Sequence, residues 1–308
     1  MSDRAAAGPR SRVDAVALAE GLFAVVVWGA SFIATKIAVA EAAPVTVVWL
    51  RFAIGVAILV AAVAWRREWV RPDRRTLLQF AALGALGITF HQWLQSNALL
   101  TTRASTSGWI IATTPVFIAV LAALVLRERL GRQAWLGIAL AAAGVPLVVA
   151  RGGLDALLGG RFWSAGDLMM LLSAPNWAVF SVASRGLLRR HPAGRALLLM
   201  MGCGWLLTTV QFALSPGPAD LGSLSARGWA AVLFLGVACS GLAYLAWFDA
   251  LHKLSASRTG ALLYLEPLIA TAVAAAVLGE PVTPTIVLGG AVILAGVWLV
   301  ESSRAPGA

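Results

Sequence analysis

Two stretches of the chain decide the fold, STSGWIIATTPVFIAVLAALVLRE at 105–128 and SRTGALLYLEPLIATAVAAAVLGE at 257–280. A shift of 152 positions aligns them without a gap and pairs Pro115 with Pro267 and Glu128 with Glu280. Apolar composition alone would not match proline and glutamate together. The coincidence therefore indicates an internal repeat, which has to be recognised before single motifs are interpreted.

The repeat extends over both halves of the chain. Nearer the start of each half, a shift of 149 positions pairs Trp28 with Trp177, so one short gap separates the two registers. We expect a first repeat at 13–150 and a second at 160–302. The glycines that the shift of 152 aligns are Gly84 with Gly236, Gly137 with Gly289, and Gly144 with Gly296.

The composition places both repeats in a membrane. Of 308 residues, 60% are hydrophobic and 12% are charged, and the mean hydropathy is +0.84. A soluble domain is about 45–50% apolar and about 25% charged, which excludes that class. Since a membrane-spanning helix needs about 20 apolar residues, we predict an all-α membrane protein with ten transmembrane helices. The predicted segments are 16–38, 44–65, 76–98, 105–126, 134–150, 166–186, 196–214, 228–250, 256–278 and 284–301.

The basic residues predict the orientation. With both termini in the cytoplasm, eighteen of the 24 Lys and Arg residues fall on the cytoplasmic side and four on the outer side. This bias favours the N-in, C-in orientation. Because each repeat has five helices, the second repeat enters the membrane from the opposite side, so the two repeats are predicted to be inverted.

Several other functions are not favoured by the sequence. The net charge of +10 comes from basic clusters between apolar runs, so it does not indicate a nucleic-acid partner. Neither a catalytic triad nor a zinc-binding motif nor a phosphate-binding loop occurs, so we expect no catalytic residues, no metal site and no cofactor. Cys203 and Cys239 lie in apolar segments and are interpreted as packing residues.

The order of several motifs resembles the EamA family of the drug/metabolite transporter superfamily. The resemblance covers about 16–301 and implies ten helices, with a central cavity lined by helices 1 to 4 and 6 to 9 and with helices 5 and 10 at the periphery. It also implies export or exchange of small metabolites, commonly amino acids. The motifs are Trp28 to Ser31 followed by Lys36, Arg103 to Ser105, Pro115, Glu128, Leu265 to Pro267, and Gly279 to Pro281.

The function expected from this resemblance is secondary transport by alternating access. Amino acids or related compounds are the first expected substrates, and cationic drugs or quaternary amines are the alternative. An intramembrane enzyme or an accessory membrane subunit are favoured less. The expected location is the cytoplasmic (inner) cell membrane, as a multi-pass protein, and the expected partners are a small-molecule substrate and the lipid bilayer, with a monomer or a homodimer as the assembly.

Polar and aromatic residues at mid-depth are the candidate substrate-binding residues, because polar groups inside a bilayer usually face the bundle interior. The alternative for each of them is hydrogen bonding or packing between helices. Glu266 is the main carboxylate of this set, able to bind a substrate ammonium group or carry a proton. The candidates are Trp28, Ser31, His91, Gln95, Trp109, Thr113, Asn176, Trp177, Tyr244, Trp247, Tyr264 and Glu266.

Two prolines and two basic residues complete the predictions. Proline inside a helix bends it and frees a carbonyl group, so Pro115 and Pro267 are predicted hinges, with a static kink as the alternative. Lys36 and Arg51 fall near the outer ends of helices 1 and 2. We expect both side chains to extend toward the lipid headgroups, with attraction of a substrate carboxylate as the other reading.

Overall fold

The computed structural model describes residues 9–69, 71–126, 130–150, 163–188, 190–254 and 262–303. These residues form a bundle of helices, and no strand occurs among them. Glu128 and the start of the second repeated stretch at 257–260 lie outside the described residues. The helices are α1 (Pro9–Val39), α2 (Pro44–Trp65), α3 (Arg74–Ala98), α4 (Ala104–Ile111 and Thr114–Leu126), α5 (Arg132–Val149), α6 (Ala165–Leu188), α7 (Ala193–Ala213), α8 (Ala226–Leu233, Phe234–Ala243 and Tyr244–Lys253), α9 (Leu263–Leu265 and Glu266–Leu278) and α10 (Pro284–Ser302).

Eight of the described helices are long and apolar enough to cross a membrane. Two further helices are α6, which has 24 residues, and the apolar α9, which is shorter at Leu263–Leu278; a short helix, Gly217–Asp220, lies in the loop between α7 and α8. Each segment predicted from the sequence overlaps one of the helices α1 to α10. The multi-pass membrane fold is therefore confirmed at the level of eight candidate spans.

Local sequence signals explain where the helices begin and end. Pro44 and Pro284 occupy first-turn positions, where a missing N–H group costs nothing. Asp73 caps α3 by accepting a hydrogen bond from the Thr76 N–H group. Gly279 ends α9 with a φ of 66°, a left-handed conformation that glycine adopts without a steric penalty.

The outer surface of the bundle is apolar. Large side chains such as Leu124, Leu206 and Trp298 are 74%, 59% and 60% exposed. A soluble monomer does not expose so many apolar groups together, so this surface fits contact with lipid. Inside the bundle, two hydrophobic clusters form, one centred on α1, α4, α8 and α10 and one on α2, α3 and α7.

The fifth and the tenth helices pack on each other at the side of the bundle and otherwise mainly touch α4. Their contact is made by the repeated glycines: an added Cβ atom on Gly137 would lie 2.5 Å from the Gly296 carbonyl oxygen, and one on Gly144 would lie 2.7 Å from the Gly289 carbonyl oxygen. The two helices therefore run antiparallel. Gly137 touches the repeat equivalent of Gly144, and Gly144 touches the repeat equivalent of Gly137, which is the pattern that a two-fold axis produces.

Side-chain contacts define the two ends of the bundle. End A holds the loops at 40–43, 99–103, 214–225 and 279–283, and the Asp220 carboxylate there accepts a 2.8 Å bond from the Ala43 N–H group. End B holds the loops at 66–73 and 190–192. There Lys253 donates to both carboxylate oxygens of Glu20, at 3.0 and 2.9 Å, so α8 is tied to α1.

Candidate functional site

Two helices lose their regular winding at equivalent positions of the repeats. A π-helical segment covers Ala85–Phe90 in α3, and another covers Phe234–Ala243 in α8. Such segments are rare and often occur at functional sites. Directly after them come Gln92 and Tyr244, which the shift of 152 positions aligns. The wide turns thus place two polar side chains at matching points inside the bundle.

The fourth helix of each repeat is also interrupted. In α4 the helix ends at Ile111 and starts again at Thr114, and the described part of α9 has a 3-10 turn, Leu263–Leu265, before Glu266–Leu278. Both interruptions directly precede the predicted hinge prolines, Pro115 and Pro267, because proline has no N–H group for the carbonyl oxygen four residues earlier and its ring clashes with that carbonyl group. The interruptions expose backbone carbonyl groups in the membrane interior. Among these, the Ile110 and Ile111 oxygens accept bonds of 2.6 and 2.7 Å from the Thr113 and Thr114 hydroxyl groups.

Arg51 of α2 lies inside the bundle and is 5% exposed. Its Nε donates to Ser240 Oγ of α8 at 3.1 Å, and its Nη1 donates to Gln92 Oε1 of α3 at 3.1 Å. Both partners are neutral, and no carboxylate of the described residues is within ion-pair distance of Arg51. A charge at this depth costs about 2.5–3.5 kcal/mol on insertion scales. Burial of Arg51 without a counter-charge among the described residues is therefore energetically unfavourable.

An aromatic group, made of Trp28, Tyr244 and Trp247, lies beside this cation. The Trp28 ring centroid is 5.3 Å from that of Tyr244 and 5.3 Å from that of Trp247. The hydroxyl group of Ser31, a predicted site residue, donates to the Trp28 carbonyl oxygen at 2.7 Å. Its hydrogen bond is therefore made within α1, next to Trp28. The three rings join α1 to the part of α8 that follows its π-helical segment.

Glu266 is the first residue of the α-helical part of α9, which packs against α1. A Cβ atom on Gly29 would lie 2.8 Å from the Glu266 carbonyl oxygen, so only glycine in α1 permits this approach. The Glu266 carboxylate makes no hydrogen bond or ion pair with any described residue. Gly29 follows Trp28, whose ring contacts Tyr244, and Tyr244 lies four residues after the Arg51 partner Ser240 in α8.

A second polar group connects α3 to α6. His91 is 4% exposed; its Nδ1 is 3.3 Å from Asn176 Nδ2, and its ring centroid is 4.7 Å from that of Trp177. Asn176 also donates to the Leu86 carbonyl oxygen at 3.1 Å, within the π-helical segment of α3. Gln95, predicted to share a face with His91, is half-buried one turn further along.

The remaining candidates lie in α4 and α9. Trp109 is 4% exposed, and its Nε1 donates to Thr271 Oγ1 at 2.9 Å. A Cβ atom on Gly290 would meet the Trp109 ring at 2.6 Å, so the indole also packs on α10. Tyr264 is half-buried against the larger hydrophobic cluster.

Two expectations about basic residues are wrong. Arg51 does not extend to the headgroups, because Gln92 and Ser240 bind it inside the bundle. Lys36 donates instead to the backbone oxygens of Leu99 (3.2 Å) and Thr102 at end A. Burial of Arg51 depends on partners from two other helices, which a hydropathy profile does not show. Gln92 could have been selected as a site residue from the sequence, because the repeat register aligns it with Tyr244.

Carboxylate side chains join helices at each end of the bundle. At end B, Arg66 forms two bonds with Asp249, at 3.0 and 2.6 Å, joining α2 to α8. The hydrogen bond that Arg66 donates to the Asp249 carboxylate raises the pKa of Arg66. At end A, the Glu280 carboxylate accepts from the Ala104 and Ser105 N–H groups at 2.9 and 3.0 Å, which caps α4.

The fold and this interior are those of a multi-pass membrane protein, and comparison with known proteins gives its family. The EamA-like transporter family matches residues 16–150 and 164–302. The chain belongs to this family, as the resemblance of its motifs predicted.

Its relatives include transporters that are named for a substrate. An uncharacterized transporter of Archaeoglobus fulgidus is 31% identical over 90% of this chain and 94% of its own. A protein of Streptantibioticus cattleyicolor named "Probable terminal-alkyne amino-acid exporter" is 29% identical over 75% of each chain. One of Salmonella typhimurium named "Probable amino-acid metabolite efflux pump" is 27% identical over 90% of this chain and 92% of its own. A crystal structure with 23% identity has the same fold, with a TM-score of 0.65 over 92% of this chain and 98% of that chain.

Proposed function

We propose that this protein is a secondary transporter that exports or exchanges small metabolites, amino acids first among them, across the cytoplasmic membrane. The observation that carries the proposal is the interruption of four helices, α3, α4, α8 and α9, at equivalent positions of the two repeats around one polar and aromatic interior. Broken helices at the repeat interface are typical of the substrate sites of secondary transporters. Catalysis has no part in this function.

Alternating access follows from the two inverted halves. The substrate binds between the repeats, and rocking of one repeat against the other opens end A and end B in turn. Pro115 and Pro267 are the proposed hinges, because the helices that carry them are already interrupted there. We assign end B, where α1 begins and α10 ends, to the cytoplasm, in keeping with the excess of basic residues on that side.

Relatives support amino acids as the substrate class, since two of them are named for amino-acid or amino-acid-metabolite export. The aromatic group and Glu266 support a second candidate. Aromatic faces attract cations, so the same residues suit an exporter of cationic drugs or quaternary amines.

A binding screen on purified protein separates the two. A ligand of the native state raises the apparent melting temperature, so we expect stabilisation by amino acids. Stabilisation by cationic dyes or polyamines alone would favour the drug exporter. If neither class stabilises the protein, and proteoliposomes show no flux of either, the transport proposal fails and an accessory or enzymatic role takes its place.

A further inference from the structure

The guanidinium group of Arg51 has spare hydrogen-bonding capacity. A guanidinium group carries five N–H donors, and only Nε and Nη1 donate to described residues. Nη2 makes no such bond, yet it is not among the polar atoms of the described residues that are sealed from solvent without a partner. The Nη1 and Nη2 edge is thus available. This fork fits the two oxygens of a carboxylate.

The two residues that bind Arg51 orient its guanidinium group for a carboxylate ligand. Gln92, 6% exposed, and Ser240, 0% exposed, fix the guanidinium group between α3 and α8 without neutralising its charge. A protein carboxylate in their place would compete with an anionic ligand. Neutral acceptors orient the fork and leave its positive charge to attract a carboxylate across the low-dielectric interior.

Glu266 is the complementary group. Its carboxylate has no donor among the described residues. Its backbone packs on Gly29, next to Trp28, and the Trp28 ring contacts Tyr244, four residues after the Arg51 partner Ser240. The two opposite charges form no ion pair with each other. A molecule with both a carboxylate and an ammonium group neutralises both at once, whereas an amine or an acid leaves one charge uncompensated.

We propose that Arg51 binds the carboxylate and Glu266 the ammonium group of the transported molecule, with Trp28 and Trp247 facing its apolar side chain, so that the site selects zwitterionic amino acids. This inference rests on the proposed function and names the substrate chemistry of the same site. It makes Arg51 the residue that distinguishes an amino-acid exporter from a cation exporter.

The test uses ligands that differ only in their charged groups. Four share the isobutyl side chain: leucine, leucinamide without the carboxylate charge, 3-methylbutylamine with the amine alone, and 4-methylpentanoate with the acid alone. Phenylalanine and its three counterparts form a second set. Dissociation constants are measured by quenching of tryptophan fluorescence and by thermal stabilisation of the full-length protein. We expect at least one of the two amino acids to bind at least tenfold more tightly than each of its three counterparts.

Two variants assign the charges to residues. Arg51→Gln is expected to weaken binding of the amino acid and the acid at least tenfold while leaving the amine unchanged. Glu266→Gln is expected to weaken binding of the amino acid and the amine while leaving the acid unchanged. Arg51→Lys keeps the cation and preserves the preference for the amino acid over its amide. Lys36→Gln removes a cation that binds backbone oxygens at end A and is the matched control, expected to keep the wild-type preference.

The outcomes separate the two proposals. The assignment of Arg51 is overturned if leucinamide or 3-methylbutylamine binds the wild-type protein as tightly as leucine. It is also overturned if both charge variants lose affinity for all ligands equally. Either result leaves the transport proposal standing. Because the comparison of leucine with leucinamide needs only the wild-type protein, it decides even if Arg51→Gln does not fold. If neither set binds while other compounds do, amino-acid export fails, and the inference fails with it.

Discussion

Gly137 of α5 lies against Gly296 of α10, so closely that a Cβ atom on Gly137 would be 2.5 Å from the Gly296 carbonyl oxygen. The equivalent glycines, Gly144 and Gly289, make the matching contact, with 2.7 Å from such a Cβ atom on Gly144 to the Gly289 carbonyl oxygen. Small residues let helices approach each other closely in membranes, where packing replaces the hydrophobic effect as the source of association. The contact is therefore expected to stabilise the arrangement of the two repeats.

Replacing Gly137 with alanine is expected to destabilise the protein by about 1–3 kcal/mol, because the methyl group meets backbone atoms that cannot move aside. Thermal unfolding in detergent measures the effect. Gly202→Ala in α7 is the matched control, since an added Cβ atom there has nothing within 4 Å. The melting temperature of the control should equal or exceed the wild-type value; equal losses in both variants would show that the close contact is unimportant.

Glu280→Gln is expected to lower stability by about 1–2 kcal/mol, because hydrogen bonds to charged groups contribute more than neutral ones. The carboxylate also accepts a 2.5 Å bond from the Ser105 hydroxyl group, and Ser105 is 2% exposed. Glu41→Gln is the control. Glu41 makes the same type of cap, with bonds of 2.8 and 2.9 Å from Ser225. Ser225 is exposed, however, and interactions of charged groups contribute less to stability at the surface. A larger loss for Glu41→Gln in chemical denaturation would contradict the account.

Asp73 predicts a pH dependence at the start of α3. Hydrogen bonds from the Thr76 hydroxyl and N–H groups lower the pKa of Asp73, so its cap stabilises the protein above the ordinary pKa of the side chain, about 3.9. This stabilisation is lost as the pH falls through the lowered pKa. The difference in melting temperature between wild type and Asp73→Ala should therefore shrink in acid. Thr283→Ala removes an uncharged cap of α10, and its effect should stay constant with pH; a constant difference for Asp73→Ala would refute the prediction.

Pro115→Ala and Pro267→Ala test the proposed hinges. Alanine restores an N–H donor and favours a continuous helix. We therefore expect the transport rate to fall by a larger factor than the substrate affinity. Flux into proteoliposomes and ligand binding are measured on the same preparations. Pro146→Ala in α5, outside the interrupted helices, serves as the control. Equal losses of rate and affinity would identify Pro115 and Pro267 as static packing residues.

Much of the fold could be predicted from the sequence because it depends on local and repeated signals. Apolar segments marked the helices. The glycines that aligned the repeats also lie at the contact between α5 and α10, but that contact was not predicted from them. The π-helical segments in α3 and α8 were not predicted, since ALGITF at 85–90 and FLGVACSGLA at 234–243 read as ordinary apolar helix.

The site was harder to predict than the helices. Trp28, Tyr244 and Trp247 were selected by their depth, and they lie together. Arg51 was placed at the headgroups because a charge near the end of an apolar segment usually reaches them. Its true partners are 41 and 189 residues away in sequence, at Gln92 and Ser240, and only the packing of α2 against α3 and α8 brings them together.

The most direct test of the account is counterflow of leucine and of phenylalanine in proteoliposomes that contain the purified protein. Vesicles loaded with the unlabelled amino acid and diluted into the labelled form should transiently accumulate label with the wild-type protein, for at least one of the two. With Arg51→Gln they should accumulate no more than protein-free vesicles, and with Lys36→Gln they should accumulate label as the wild type does. Accumulation by Arg51→Gln at the wild-type rate, or none by the wild-type protein with either amino acid, would contradict the account.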